Sequence, residues 1–391
     1  MEGGDAWVAL SVLASVAYAA WSLSAARGLW TLRTLREVSA PAPDSWPKLS
    51  VIVPACNEGA TLERALATLL QQDYPDLEII LVDDRSSDGT SSLVDELAAR
   101  DPRIRAHHVQ QLPEGWLGKV NAIREGYARS EGEWVLFSDA DVHYHQPDVL
   151  RRAVALGLAE RLDHVCLLPR LKAATFWQET AIDAFGIGFF TSIRAHELKD
   201  PDSDRFVGIG AFNLVRRTAL ERSEGLAWLR LEVADDVGLG LLIRQARGRA
   251  GLWLASRELS VLWYPSLPAM VRGLEKNLFA IVGRFAPWRA LLRTLPVVLL
   301  LAAIAIGFFL PSLAARTAAG FALMSVAVTA YSMHRRIDQA FLPGLFVPVG
   351  ILLLVFMVVR STWVCSKRGG ITWRGTFYPT EHLRELQRVK L

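Results

Sequence analysis

Leu77-Glu78-Ile79-Ile80-Leu81-Val82-Asp83-Asp84-Arg85-Ser86-Ser87-Asp88-Gly89 passes from apolar side chains to acids in one step. Leu77 to Val82 is rich in Ile, Leu and Val, which suits a strand. The apolar run is nearly continuous, so the strand is expected to be covered on both faces, as in a parallel sheet. Asp83 and Asp84 then fall at its carboxyl end, the edge where open α/β sheets bind ligands. Asp88-Gly89 supplies a turn that brings backbone close to a ligand. Ser138-Asp139-Ala140-Asp141 closes a second apolar run, and Ala234-Asp235-Asp236 precedes an expected helix at Val237 to Gln245.

Working outward, Leu49 to Pro54 reads as a strand, Thr61 to Leu70 as a helix and Ser92 to Ala99 as another helix. Ile104 to Val109 reads as a short strand, Val120 to Arg129 as a helix and Glu133 to Ser138 as a strand. Strands alternating with helices predict an α/β fold with a mainly parallel sheet and right-handed crossovers. Pro41-Ala42-Pro43 and Pro47 mark a stiff linker ahead of the first strand.

Apolar residues make up 51% of the 391, which directs attention to membrane spans. Trp7 to Leu23 is apolar, and basic residues follow it instead of preceding it. That order favours an uncleaved anchor over a cleaved signal peptide. Leu295 to Leu313, Thr317 to Met333 and Phe341 to Val359 each approach the ~20 residues that cross hydrocarbon. Pro343, Gly344, Pro348 and Gly350 leave two readings of the last segment, a re-entrant hairpin or a true span with an external basic tail. Trp177 to Ile193 is expected to lie in the membrane interface, with a core helix as the alternative. The expected organisation is an anchor over 1–25, a linker over 26–47 and a nucleotide-binding domain over 48–265. An interfacial segment over 266–293, a transmembrane region over 294–360 and a basic tail over 361–391 complete it. A net charge of only +3 gives no basic field for nucleic acid. Three cysteines far apart form neither a disulfide framework nor a zinc site by spacing.

Each motif has a bland reading and a chemical one. Asn57 and Glu58 in Pro54-Ala55-Cys56-Asn57-Glu58 are ordinary helix-starting residues, or a ligand loop at a strand end. Asp84 at its strand end suits a base N–H or a ribose hydroxyl. Asp139 and Asp141, two residues apart on an expected extended segment, point the same way. They can share one hard cation, Mg2+ or Mn2+, and a diphosphate; His143 is a possible further contact. Asp235 and Asp236 are either helix-dipole acids or a general base. Lys119 after Gly118 can reach a phosphate, or is a surface lysine. Gly208, Gly210 and Phe212 read as a strand of close backbone approach, forming an acceptor-side wall with Asp235. Arg272, Lys276 and Arg284 suit a diphosphate or lipid head groups.

As an ordered set, these residues resemble the family 2 glycosyltransferases, with the A-type (GT-A) nucleotide-sugar fold, over roughly Leu49 to Pro265. The layout of apolar segments looks like the membrane branch holding ceramide glucosyltransferases, hopanoid-associated and carotenoid glycosyltransferases. The resemblance implies that Asp84 contacts uracil or ribose, with Pro54, Ala55, Asn57, Glu58, Lys119 and Asp139 around the nucleotide sugar. It implies Asp141 and Asp139 at the metal and Asp236 as the base of an inverting transfer. The expected partners are a nucleotide-sugar donor, with UDP as nucleotide, a lipid acceptor and a membrane. The expected location is a bacterial inner or plasma membrane, catalytic domain inward. The Gln-x-x-Arg-Trp motif of processive synthases is absent; Arg272 to Trp288 occupies that region, which counts against chain polymerisation.

Overall fold

The structure, a computed structural model, describes residues 2–390. From the amino end, α1 (Glu2–Thr31) precedes β1 (Leu49–Ala55), α2 (Leu62–Leu70), β2 (Leu77–Asp84), α3 (Thr90–Arg100), β3 (Ile104–Val109) and α4 (Gly118–Tyr127). Then come β4 (Trp134–Phe137), β5 (His143–Tyr144), α5 (Val149–Ala159), β6 (His164–Leu168), β7 (Arg170–Lys172) and α6 (Phe176–Ser192). β8 (Asn213–Arg216), α7 (Arg217–Glu221), α8 (Asp235–Gln245), β9 (Ala250–Leu254) and β10 (Leu259–Leu262) follow. α9 (Leu267–Gly273), α10 (Glu275–Ile281), α11 (Pro287–Phe309), α12 (Leu313–Ile337), α13 (Phe341–Leu345) and α14 (Val347–Arg368) are next. β11 (Gly370–Trp373), β12 (Thr376–Pro379) and α15 (Thr380–Leu386) end the chain.

These elements form two units. The sheet-bearing unit holds Arg33–Leu171, Arg194–Val261 and Thr372–Leu391. Its main sheet has the order β3-β2-β1-β4-β8-β6-β9. β1 runs parallel to β2 and β4, β2 to β3, and β6 to β9. β8 alone runs antiparallel, against β4 and β6. Every residue of β2 is buried, as its nearly continuous apolar run leads one to expect. Ala55 pairs with Asp83, so β1 and β2 end level and their following loops lie side by side. β5, β10 and β7 make a small second sheet; His143 lies in β5, in register with Ser260 of β10.

The helical unit holds Met1–Leu32, Lys172–Ile193 and Leu262–Ile371. Four of its helices, over Gly4–Thr31, Pro287–Phe309, Leu313–Ile337 and Val347–Arg368, are long and apolar enough to cross a membrane. Ser22 Oγ shares a 2.8 Å hydrogen bond with Thr329 Oγ1, and Trp30 Nε1 donates to Ser332 Oγ at 3.1 Å. Such small polar residues let apolar helices approach closely and bond across their seam.

Several boundaries differ from expectation. α1 continues to Thr31, so the linker starts later than residue 26. Pro343 and Gly344 fall in the short α13, and α14 then runs unbroken for 22 residues; the helix break precedes this span and no hairpin divides it. Helix α6 is not interfacial in character: Gln178, Thr180 and Asp183 are buried while Trp177 and Phe185 are exposed. An interfacial helix would turn its polar side outward. Residues 361–391 are no tail: α14 takes up their start, and Thr372–Leu391 folds into the sheet-bearing unit.

Candidate active site

The loops after β1 and β2 are bound to each other. Asn57 (φ 57°) and Arg85 (φ 55°) both adopt the left-handed region, which is uncommon outside glycine and clusters at ligand sites. Asn57 Oδ1 accepts from Ser87 N–H at 2.8 Å and from Asp88 N–H at 3.3 Å. Asp88 in turn caps α3 through Thr90 N–H at 2.9 Å. Asn57 therefore shapes the second loop. Glu58 Oε2 accepts from Thr61 Oγ1 at 2.9 Å.

The adjacent acids of β2 have separate partners. Asp83 is buried and takes hydrogen bonds from Ser86 N–H at 3.2 Å and His108 Nδ1 at 3.1 Å. Burial pushes its pKa up, but these donors outweigh it and the net shift is downward. His108 also bonds Asp95 at 3.0 Å, and that bond leads in raising the imidazole's pKa. Asp84, equally buried, pairs with Arg85 Nε at 2.8 Å. It lies against Gly118, where an added Cβ would overlap Asp84 Oδ2 and approach Arg85 Nη2 to 2.8 Å. Only a glycine lets the start of α4 come this close.

Lys119, the next residue, binds the remaining acids together. Its Nζ lies 2.7 Å from Asp139 Oδ1 and 3.2 Å from Asp235 Oδ2. Burial disfavours its charge, but Asp139, Asp235 and Asp236 outweigh burial and hold it firmly protonated. Asp235 and Asp236 form the first turn of α8, inside the helix and not ahead of it. Gly210 N–H donates to Asp236 Oδ2 at 3.0 Å, and Asp139 N–H donates to the Gly210 carbonyl at 3.1 Å. A small cleft opens here, lined by Pro54, Lys119, Asp139, Gly210, Asp235 and Asp236 among others.

Burial, then the neighbouring Asp235 charge, pushes Asp236 up to about 6. Burial, then Asp139 and Glu58, pushes Asp141 up to about 7. A carboxyl shifted this way is short of a cation. Asp139 follows β4 outside any strand and Asp141 falls in a turn, so the two do not share one extended segment. Among the described residues, no group of three or more His, Cys, Asp and Glu side chains could by itself hold a metal. Two carboxylates with oxygen donors nevertheless fit a hard cation that keeps its waters and substrate phosphates.

The glycine segment is corrected. Residues 208–212 are a loop leading into β8, not a strand. Gly208 packs on the Asp236 backbone so tightly that a Cβ would overlap its carbonyl oxygen, so close approach is real. Phe212 is 0% exposed and part of the hydrophobic core, so it supports this loop from behind and forms no acceptor wall. Ala55, Asn57, Glu58, Asp84 and Asp141 lie outside the lining of the cleft itself. Glu58 and Asp141 are joined to it electrostatically, and Asp84 through Gly118. Three participants were missed in the sequence: Arg85 as the partner of Asp84, Glu232, and the carboxyl-terminal Arg374. The one sequence signal for that hairpin is Gly375, a turn residue between Ile371-Thr372-Trp373 and Thr376-Phe377-Tyr378, two short runs of β-branched and aromatic residues.

Residues 50–223 match the family model described as Glycosyl transferase family 2. This stretch is a family 2 glycosyltransferase domain. Over 95 residues the chain is 44% identical to the GalNAc(5)-diNAcBac-PP-undecaprenol beta-1,3-glucosyltransferase of Campylobacter jejuni, covering 24% of this chain and 30% of that one. Over 250 residues it is 26% identical to the beta-monoglucosyldiacylglycerol synthase of Synechocystis sp., covering 59% and 49%. The chain thus spans half or less of the length of these relatives. The mannosyltransferase PcManGT from Pyrobaculum calidifontis, solved with GDP-Man and Mn2+, superposes with a TM-score of 0.59 at 20% identity, over 92% of this chain and 99% of that one. That likeness establishes a shared GT-A fold.

Proposed function

We propose that the glycosyltransferase domain moves a single sugar from a nucleotide sugar, with UDP as the nucleotide, onto a lipid hydroxyl, with inversion. The observation that carries this reading is the convergence of Asp139, Lys119, Asp235 and Asp236 on one cleft beside the Gly210 backbone. Asp236 is the base. Its carboxylate takes the proton of the acceptor hydroxyl as that oxygen attacks the anomeric carbon. The bond from that carbon to the phosphate oxygen breaks, and the nucleoside diphosphate leaves with the electron pair. A pKa raised to about 6 leaves Asp236 ionised at pH 7, yet more basic than an ordinary aspartate. The Gly210 N–H fixes the direction of one carboxylate oxygen.

Asp141 and Asp139 would hold a divalent cation, Mg2+ or Mn2+, which when bound neutralises charge on the leaving diphosphate. Asp84, with Arg85, faces the nucleoside, and Asn57 holds the flanking loop in shape. The lipid acceptor is supported by two observations. Four helices are long and apolar enough to span a membrane, and the two named relatives act, by their names, on undecaprenol- and diacylglycerol-linked acceptors. We place the enzyme in a bacterial inner or plasma membrane with its sheet-bearing unit on the cytoplasmic side, where nucleotide sugars are made. The test is mass spectrometry of lipids incubated with the purified full chain and a panel of UDP- and GDP-hexoses. A product heavier by one hexose is expected. No transfer from any donor to any lipid, with the protein folded, would refute it, and a polymer would instead mark a processive synthase.

A further inference from the structure

Residues 372–389 run from the donor side of the sheet-bearing unit to its catalytic acids. β11 and β12 are joined by Arg374 (φ 47°) and Gly375 (φ 80°), the two left-handed residues of a tight hairpin turn. This turn presents the Arg374 guanidinium to the loop after β1. It donates to the Cys56 carbonyl and, at 2.7 Å, to Glu58 Oε1. Four residues on, the Tyr378 side chain is buried and its hydroxyl lies in the field of Arg85 and Asp84. Further along, Arg388 N–H (2.7 Å) and Val389 N–H (2.9 Å) both donate to Glu232 Oε2. Glu232 Oε1 accepts from Ala234 N–H at 3.0 Å, immediately before Asp235. The segment is therefore bonded to both ends of the proposed site.

Charge gives this placement a purpose. Asp139, Asp235 and Asp236 line a cleft that must admit an anionic diphosphate, and Glu58, Asp84 and Asp141 lie outside that lining. Arg85 is committed to Asp84 and Lys119 to Asp139 and Asp235. Arg374 is the third cation. It pairs with Glu58, whose charge acts directly on Asp141, and a third of its side chain stays exposed (34%). A guanidinium has five N–H donors in a fixed fork, well suited to phosphate oxygens.

We propose that Arg374 is a donor-binding residue that contacts the diphosphate of the nucleotide sugar. This rests on the glycosyltransferase reading above. The test is titration calorimetry on the full chain in detergent, with Mn2+ and without lipid, using UDP, GDP and their parent nucleosides. Arg374→Ala is expected to weaken the diphosphate that the wild type binds by about 10- to 100-fold, as for a lost charge-assisted hydrogen bond. The nucleoside itself should bind as before, and Arg374→Lys should recover part of the loss. Equal losses for nucleoside and diphosphate would reduce Arg374 to a structural peg and overturn the proposal, as would no loss. If diphosphate binding is intact but turnover on a polyprenyl-diphosphate acceptor falls, the diphosphate contacted is the acceptor's, and the proposal fails. A wild type that binds no nucleoside diphosphate would instead overturn the glycosyltransferase reading itself.

Discussion

Gly210→Ala tests the cleft with one methyl group. A Cβ at residue 210 would lie 2.7 Å from Asp139 Oδ2 and 3.5 Å from Asp236 Oδ2. Ordinary contact begins near 3.4 Å, so the base is touched without being moved, while Asp139 must withdraw by about 0.7 Å. The group that moves is the end of a side chain, so the fold should lose no more than about 1–2 kcal/mol. Asp139 cannot withdraw independently, because its other oxygen is held by Lys119 at 2.7 Å. The displacement therefore reaches Lys119 and, through it, Asp235. A 1 Å misplacement at a reacting centre costs about 100-fold, so a shift of this size is expected to lower kcat/KM by roughly 10- to 100-fold. The measurements are initial rates on the donor that the wild type uses, alongside thermal unfolding in the same detergent. Full activity in a folded variant would refute the contact between the residue 208–212 loop and the acids. A large loss of stability would show that the loop is structural.

Gly208→Ala should behave differently, because its Cβ meets the Asp236 backbone, which cannot rotate away; circular dichroism melts should show a lower Tm and activity should be lost. Asp236→Asn should cut kcat by about 10²- to 10⁴-fold while nucleotide binding by calorimetry is retained. Because burial and Asp235 raise Asp236 to about 6, kcat should fall on the acid side of a pH profile with a midpoint near that value, about two pH units above an ordinary aspartate; a flat profile down to pH 4.5 would contradict this. Chelation of divalent metal should abolish transfer, with Mn2+ or Mg2+ restoring it in the wild type and poorly in Asp141→Ala, read out by product formation. Glu232→Gln replaces one acceptor oxygen facing buried backbone N–H groups by a donor, and should cost about 1–3 kcal/mol in denaturant melts.

The sheet was legible because burial leaves a direct mark on composition. β2 is buried along its whole length, and its sequence from Ile79 to Val82 is apolar until Asp83 and Asp84 begin. The position of Asp83 and Asp84 at the carboxyl end of the strand followed from the same run. Helix α6 was misplaced because its composition is apolar almost throughout, so no periodicity says which face is covered. Its buried Gln178 and half-buried Glu179 are satisfied by groups remote in sequence, at Tyr264 and Ala340. The carboxyl-terminal segment was read as a tail because its basic residues, Arg374 and Arg388, look like solvated charge. Their partners, Glu58 and Trp228, lie over 150 residues away.

The acids stand out in the sequence by type and by their place after apolar runs, but the ion pairs that Lys119 makes with Asp139 and Asp235 do not, since they join residues remote in sequence. Without Lys119, Asp139, Asp235 and Asp236 would repel one another across a half-buried cleft. With it, the cleft is held together before any donor arrives, and the Coulombic balance keeps the ammonium charged in spite of burial. Lys119 cannot satisfy Asp141 as well, and that carboxyl remains raised to about 7. The division has a chemical logic: Asp235 and one oxygen of Asp139 share a fixed cation, and Asp141, left wanting charge, is expected to meet an exchangeable one together with the other Asp139 oxygen. Lys119→Met would separate these roles. It should release Asp139 and Asp235 together, lowering kcat and shifting the acid limb upward, because Asp236 would lose a stabilising positive neighbour. An unchanged pH midpoint in that variant would show that Lys119 does not act on the base, and the electrostatic account of the cleft would fail with it.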